Sequence, residues 1–371
     1  MKPPPWFALT LALAGPAGAD AAGEAPAPDP ARRMEISGFV DLVAARNFNE
    51  PAEHANFLPG LGTSAKRDNE LSINLAQIDF VLPPEPVGFH LAAGTGTALE
   101  VVHAAEVRGV ATHPDVWRNV VRASLQYRTK GGLLVEAGVY PSHIGSEAFQ
   151  TKDNWNYTRS WLGELSPYYQ TGVKLARPLG GRWSAEVHLL NGWQVIADNN
   201  RAKSLGWRFA REAEKVSLSF NGIVGPELPE NDHDLRALVD TVALWKATPS
   251  WSFGVSVDAA REEQPQGDVA RWWGGGLYAR LAPPGTRAAV ALRAEYYDDG
   301  DGAISGTPQI LREVTLTLEH RPAEQLILKF EGRYDRSSAE VFAGDLLDLS
   351  GAAVRDRREQ TLFLIGAVAV F

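Results

Sequence analysis

The sequence predicts an all-β fold: a transmembrane antiparallel β-barrel of about sixteen strands, with 14 or 18 as the neighbouring even solutions, in a bacterial outer membrane. Three observations carry this. Side chains alternate apolar and polar with period two from Met34 to the end, the candidate strands run to about ten to fourteen residues, and tight turns alternate with long polar loops along the chain.

Totals alone point elsewhere. The chain has 371 residues, a net charge of −9, 44% hydrophobic and 22% charged residues, eleven tryptophans and no cysteine. The missing cysteine excludes disulfides and thiolate zinc sites, and the acidic surplus argues against nucleic acid as a partner. Mean hydropathy is −0.19, and beyond the N-terminus no apolar run is long enough for a membrane helix. A barrel reconciles that average with a membrane, because every strand turns apolar groups outward and polar groups inward.

Lys2, the apolar stretch Trp6 to Gly15 and the small residues Ala17-Gly18-Ala19 predict a signal peptide over 1–19. Residues 20–33, rich in Ala and Pro, read as a disordered periplasmic lead-in, and 34–371 as the barrel. Strands are expected to begin near residues 35, 70, 87, 117, 132, 166, 182, 202, 215, 234, 250, 271, 286, 309, 324 and 358. Trp251, Phe253, Val255 and Val257 against Ser252, Gly254, Ser256 and Asp258 is typical of the pattern. A strand of about twelve residues, tilted near 45°, covers about 28 Å of membrane. A change of face between Leu71-Ile73-Leu75 and Ile78-Phe80-Leu82 predicts a bulge near Ala76-Gln77, and a further strand is conceivable near Val341. Gly94-Thr95-Gly96, with no helix expected after it, reads as a bend or bulge and not as a phosphate loop.

Tight turns fall at Pro83-Pro84-Glu85-Pro86, Lys130-Gly131, Pro178 to Gly181, Thr248-Pro249, Pro283-Pro284-Gly285 and Arg321-Pro322. Between them lie long connections such as Phe48 to Asn69, His103 to Val116, Ser142 to Leu165 and Ser337 to Arg357. Trp183, Trp245 and Trp251 sit beside short turns, while Trp117, Trp193 and Trp273, with Tyr140, Trp272, Tyr296 and Tyr297, sit beside long loops. These are two interfacial aromatic rims. The last strand ends on Phe371, which looks like the signal read by the barrel assembly machinery.

Two stretches are more specific. Gly138-Val139-Tyr140-Pro141-Ser142-His143-Ile144-Gly145-Ser146-Glu147 leads to Asn154-Trp155-Asn156-Tyr157-Thr158-Arg159-Ser160 and Ser166-Pro167-Tyr168-Tyr169. Leu190-Asn191-Gly192-Trp193-Gln194 then leads to Asp198-Asn199-Asn200 and Lys203 to Trp207. Together they resemble the outer-membrane β-barrel porin-2 (OmpL-like) family over roughly residues 138 to 208. The resemblance implies a porin-like barrel with no settled substrate. The expectation is a channel for passive diffusion of small polar solutes among outer-membrane lipid and lipopolysaccharide, with a homotrimer as one assembly, since trimers are common among porins of this size.

A barrel of about sixteen strands encloses water. The polar faces predict Arg118, Arg122, Arg128, Lys174, Arg208, Arg236, Asp240, Asp258, Arg280, Arg293, Glu295, Lys329, Glu331 and Arg333 as pore-lining. Cations dominate this set, which suggests a weak anion preference unless further carboxylates such as Asp41 and Glu186 balance them. Ser142 to Leu165 is the third long loop, and in general porins that loop folds inward. Here it would bring Glu147, Lys152, Asp153 and Arg159 to a constriction; alternatively, Trp155, Tyr157 and Trp161 cover the mouth.

Asp298-Asp299-Gly300-Asp301-Gly302 resembles a calcium loop but lacks the twelfth-position glutamate, and a solvated turn is the simpler reading. Ser142, His143 and Glu147 lie too close in sequence for a triad, and no Gly-x-Ser-x-Gly is present. The expectation is a non-enzyme without cofactor or metal. The competing readings are a barrel that works through its loops as an adhesin or receptor, and a secreted all-β carbohydrate binder.

Overall fold

The computed structural model describes residues 33–106 and 117–371. The signal segment, all of the lead-in before residue 33 and part of the second long loop lie outside the described residues. The barrel strands are β1 (Glu35–Asn47), β2 (Leu71–Leu82), β3 (Val87–Thr95), β4 (Val120–Arg128), β5 (Leu134–Pro141), β6 (Tyr169–Gly180), β7 (Trp183–Leu190) and β8 (Ser204–Glu212). They continue with β9 (Val216–Pro226), β10 (Leu235–Lys246), β11 (Trp251–Glu263), β12 (Val269–Leu281), β13 (Ala288–Asp299), β14 (Gln309–Ala323), β15 (Leu326–Ser337) and β18 (Glu359–Val370). These sixteen close into one antiparallel barrel in which each strand pairs with its sequence neighbours and β18 returns to β1. Each begins within three residues of the position read from alternation. The segment near Val341 does hold extra strands, but β16 (Phe342–Leu347) and β17 (Ala353–Arg357) form a separate hairpin in the last long loop.

Burial is inverted relative to a soluble sheet. On β14, Val314, Leu316 and Leu318 are about half exposed on the outer face, while Thr315 and Thr317 are fully enclosed on the inner one. A lipid-facing belt around a polar interior requires this arrangement. The seam closes through the C-terminus. Gly38 N donates to Phe371 O at 3.2 Å and Phe371 N returns the bond to Gly38 O at 3.0 Å. A Cβ on Gly38 would sit 2.6 Å from the Phe371 ring, so only glycine lets the terminal aromatic lie flat on β1.

Two local expectations shift. The bulge lies at Asn74, opposite Asp41 and Leu42, because the Asn74 side chain turns inward beside Leu75 to donate to Asp41 Oδ2 at 2.9 Å and accept from Ala65 N. Gly94-Thr95-Gly96 ends β3 and, contrary to expectation, leads into a helix, α1 (Thr97–Val102). Leu99 and Val102 of α1 pack on Leu75 and Ala92 of the inner wall, and that burial holds six residues helical that are too short to be so alone.

Candidate functional site

The barrel interior is organised by the third long loop, residues 142–168. It turns into the barrel and is bonded along its length to the wall formed by β13, β14, β15, β18, β1 and β2. Thr151 Oγ1 and Tyr157 OH both donate to the Asp41 carboxylate at 2.8 Å. Lys329 Nζ donates to the carbonyls of Thr151 (2.8 Å) and Asn154 (2.6 Å) near the short-turn end of β15. Glu331 accepts from Tyr157 N, Thr158 N and Thr158 Oγ1 at 2.5–2.9 Å. The loop then winds into α2 (Trp161–Glu164), capped by Ser160 Oγ accepting from Gly163 N. Its first free amides, Trp161 N and Leu162 N, donate to the Glu295 carboxylate at 2.6 Å, and Trp161 Nε1 donates to Asp335 at 2.9 Å. Glu164 at its end accepts from Gly62 N and Thr63 N of the first long loop.

The wall is shaped to receive the loop. Gly366, on the inner face of β18, lies under the Tyr157 ring, where any Cβ would overlap it. Leu162 packs less tightly over β12, its methyls 3.1 and 3.3 Å from where a Cβ on Gly274 or Gly276 would stand. Trp155 reaches furthest and lines a cavity of about 70 Å³ with Glu212 to Ser217, Leu244 and Ser252, at the short-turn end of β8 to β11. The inward reading of this loop is therefore the observed one.

This sorts the residues singled out from sequence. Arg118 precedes β4 in an exposed turn, because that strand starts at Val120 and not near 117. Arg293, Glu295, Lys329, Glu331 and Arg333 are on the inner face but covered by the loop, at 0–6% exposure, as are Asp240 and Asp258, where Gly145 N donates to Asp240 Oδ2 at 3.0 Å. Within the loop, Glu147 and Arg159 are also enclosed. Arg293 pairs with Glu147 at 2.9 Å and with Glu313 at 2.7 Å, and Arg159 lies over the Tyr168 ring at 4.6 Å. Burial alone would raise the Glu147 carboxyl, but Arg293, Ser160 and Arg159 together hold it below the usual range. These residues pin the loop and do not face the passage. Lys152 and Asp153 do reach open space, as an ion pair at 2.8 Å.

The charged side chains of the inner face that keep partial exposure gather on β2, β3, β4, β6 and β8. Arg122, Arg128, Lys174 and Arg208 are half-buried there, alongside Asp79 and His90, as are Arg236 on β10 and Arg280 on β12. The carboxylates that the sequence reading omitted lie beside these cations. Glu136 holds both Arg122 and Lys174, the latter at 2.6 Å; Glu262 pairs with Arg236 at 2.6 Å and Glu319 with Arg280 at 3.5 Å. In each pair the cation is the member that meets solvent. Side-chain exposure is 18% for Arg122 and 15% for Lys174 against 1% for Glu136, and 13% for Arg236 against 3% for Glu262. Glu262 shares strand parity with Asp258 and Asp335 with Arg333, while Glu136, Glu313 and Glu319 alternate with the outward apolar residues of β5 and β14, so alternation could have found them.

The aromatic rims divide as well. Trp183 stacks on Phe209 at 4.6 Å and Trp251 on Phe253 at 5.9 Å, Trp273 packs tilted against Tyr296 at 5.1 Å, and Trp245 is half exposed. Trp117 is half-buried just ahead of β4. Trp193 instead turns inward under Arg236, 5.1 Å away, and Tyr140, Trp272 and Tyr297 are enclosed in the mouth. Height along the strand gave the right level for these residues, but not the face.

Loops at the mouth are tied by carboxylates that accept backbone amides. Glu106 receives Ile196 N at 2.8 Å as well as the Tyr169 hydroxyl; although burial pushes it up, these bonds and His103 keep it below the ordinary carboxylate range. Glu227 receives Trp193 N, and burial there pushes the carboxyl up to about 7. The calcium-like turn is filled from within, since Asp299 accepts from Ala303, Ile304 and Ser305, and Asp301 from Arg271 N. Ser142, His143 and Glu147 do not assemble. His143 stacks on His188 at 4.2 Å between Gln170 and the Gly222 carbonyl, and burial, then His188, pushes it down to about 4.

The chain matches the family model described as "Putative beta-barrel porin-2, OmpL-like" over residues 33–371. Among solved structures, it is similar to an anion-selective porin from Comamonas acidovorans, with a TM-score of 0.61 and 14% identity over 91% of this chain and 99% of that one. It is also similar to the outer membrane channel DcaP of Acinetobacter baumannii, with a TM-score of 0.59 and 13% identity over 91% and 97%. A third is the trimer form of OmpT, an outer membrane protein of Vibrio cholerae, with a TM-score of 0.55 and 11% identity over 91% and 99%. At these identities the likeness is one of fold. Comparison with curated protein sequences returns no match.

Proposed function

The chain belongs to the β-barrel porin-2, OmpL-like family, and on that premise we propose that it is an outer-membrane channel for passive diffusion of small polar solutes with a preference for anions. The observation that carries the selectivity is the orientation of the inner-wall ion pairs. Their carboxylates are buried in the wall at 1–6% exposure and their cations are the more exposed members at 13–18%, so a solute meets cations first although the strands also carry many acids. On this reading the third loop narrows the channel, and Lys152 and Asp153 are its charged residues that meet the passing solute. The comparison with an anion-selective porin fits this reading.

The proposal extends to processing and assembly. Cleavage after Ala19 would release the mature chain to the periplasm, residues 20–33 would lead into the barrel, and Phe371 would be read by the barrel assembly machinery. Three copies would associate, as the trimer form among the similar structures suggests. Planar-bilayer recording tests the channel. Purified, detergent-folded protein is expected to insert in conductance steps; a protein that shows the heat-modifiable migration of a folded barrel yet carries no current would overturn the channel and favour a role for the loops.

A further inference from the structure

The third loop carries Asn154-Trp155-Asn156 at its deepest point, and the chain on both sides of the tryptophan is fixed. Lys329 Nζ on β15 donates to the carbonyls of Asn154 at 2.6 Å and Asn156 at 3.4 Å. Asn156 Nδ2 donates to Thr317 Oγ1 on β14 at 2.8 Å, and the Asn154 side chain closes back on Ala148, donating to its carbonyl at 2.7 Å and accepting from its N–H at 2.9 Å. Trp155 itself leaves that wall. It lines the cavity of about 70 Å³ at the short-turn end of β8 to β11 and stays half-buried. Among the described residues, none accepts from its indole N–H. Tyr157, two residues on, shows the contrast, since it is fully enclosed against Gly366 and bonded to Asp41. A large aromatic side chain held on a rigid backbone at the edge of water, with its polar handle unused, adds little to folding and offers a ready face to a solute.

The groups around this ring set what it can take. Glu212, Glu214, Lys215 and Lys246 bring two carboxylates and two ammonium groups, and Ser217 and Ser252 bring hydroxyls, with Ser217 Oγ donating to Glu212. The lining is formally neutral and dense in both donors and acceptors, unlike the wall of β4 and β6, where Arg122 and Lys174 are the exposed members of their pairs. A bare anion would meet Glu212 and Glu214 as readily as the lysines. A purely aromatic solute would displace water from the charged and hydroxyl groups without replacing its hydrogen bonds. A solute with many hydroxyls, each donor and acceptor at once, and one flat face of C–H groups satisfies both the polar rim and the ring. The negative face of the indole attracts such C–H groups, and a cavity of this size holds several waters whose bonds sugar hydroxyls can take over.

We infer that Trp155 and this rim form a subsite for the pyranose ring of a sugar at the short-turn end of the lumen. The inference deepens the channel reading, on which its place along a solute's path rests, by naming carbohydrates among the small polar solutes. Occupancy of the subsite does not depend on conduction.

The test is ligand-observed NMR titration of the folded barrel, in a detergent without a sugar headgroup, with glucose, glucuronate, sorbitol and benzoate. Wild type is expected to bind glucose saturably, and to bind sorbitol, which has the hydroxyls but no ring face, at least about tenfold more weakly. Glucuronate held as tightly as glucose would support the subsite and extend it to acidic sugars. Trp155→Ala should lose about tenfold in glucose affinity, while Trp155→Phe keeps part of it. Both variants change a half-buried side chain, so heat-modifiable migration should persist. No saturable glucose binding, equal affinity for glucose and sorbitol, unchanged glucose binding by Trp155→Ala, or benzoate bound more tightly than glucose would each overturn the subsite. Planar-bilayer recording of the same preparation keeps the two readings apart: conductance steps without sugar binding would overturn the subsite alone, and sugar binding without conductance would overturn the channel alone.

Discussion

Replacing Gly366 with valine puts a branched side chain where the Tyr157 ring lies against β18. Overpacking of this kind costs about 1–3 kcal/mol, and displacing the ring also forfeits the 2.8 Å bond from Tyr157 OH to Asp41, worth about 1.5–3 kcal/mol to a charged acceptor. The single variant should therefore lose about 2.5–6 kcal/mol. Tyr157→Ala should lose about 3–5 kcal/mol for an enclosed aromatic. The double variant should cost about the same as Tyr157→Ala alone, because the ring that the new valine would strike is gone. The assay is urea titration of the folded, fast-migrating band in detergent for all four proteins. If the two losses simply add, Tyr157 is not seated on Gly366, and the interlocked loop is wrong.

Three further outcomes follow from the same geometry. Deleting residues 150–159 removes the part of the loop that crosses the lumen and should raise single-channel conductance; an unchanged conductance would mean that this segment does not restrict flow. Glu substituted for Arg122 and Lys174, whose shared partner Glu136 is buried, should move the reversal potential towards cations, whereas Arg122→Lys should leave it near wild type. Acidification should loosen the loop's root: an unseated His143 takes its proton near 6.5 but a seated one only at about 4, so the seat weakens by about 3 kcal/mol, roughly 300-fold, as pH falls through that window. Open-channel noise should rise between these pH values in wild type and not in His143→Gln. His188 and Glu186 of β7, Tyr140, Gln170 and the Gly222 carbonyl face this ring, and equal pH dependence in both proteins would assign the effect to one of the titrating neighbours.

Alternation made the barrel legible because the membrane and the lumen impose opposite polarities on successive side chains. That local rule set each strand start within three residues, from β1 at Glu35 to β18 at Glu359. It also placed Arg122, Lys174, Arg208 and Arg293 on the inner face. The inner face, however, is not the same as the water-lined face. Arg293, Lys329 and Arg333 have the same strand parity logic as Arg122, yet they serve as donors to the third loop, and only long-range contacts with Glu147, Thr151 and Arg159 reveal it. The carboxylates behind the cations were readable by parity, but their greater burial was not, since it depends on which partner the longer, more flexible side chain covers. Trp193 was misplaced for a similar reason: its level at the mouth is local, while its inward turn depends on Arg236 three strands away. The hairpin of β16 and β17 has short, partly polar strands without a lipid face, so alternation gave it no membrane-crossing signal.

The proposed channel is narrowed by its third loop and faced with cations whose counter-charges lie in the wall. The reversal potential of single channels under a potassium chloride gradient tests it most directly. A potential displaced towards that of chloride is expected, reduced when Arg122 and Lys174 are both replaced by glutamine. A potential displaced towards that of potassium in the wild-type protein would contradict it.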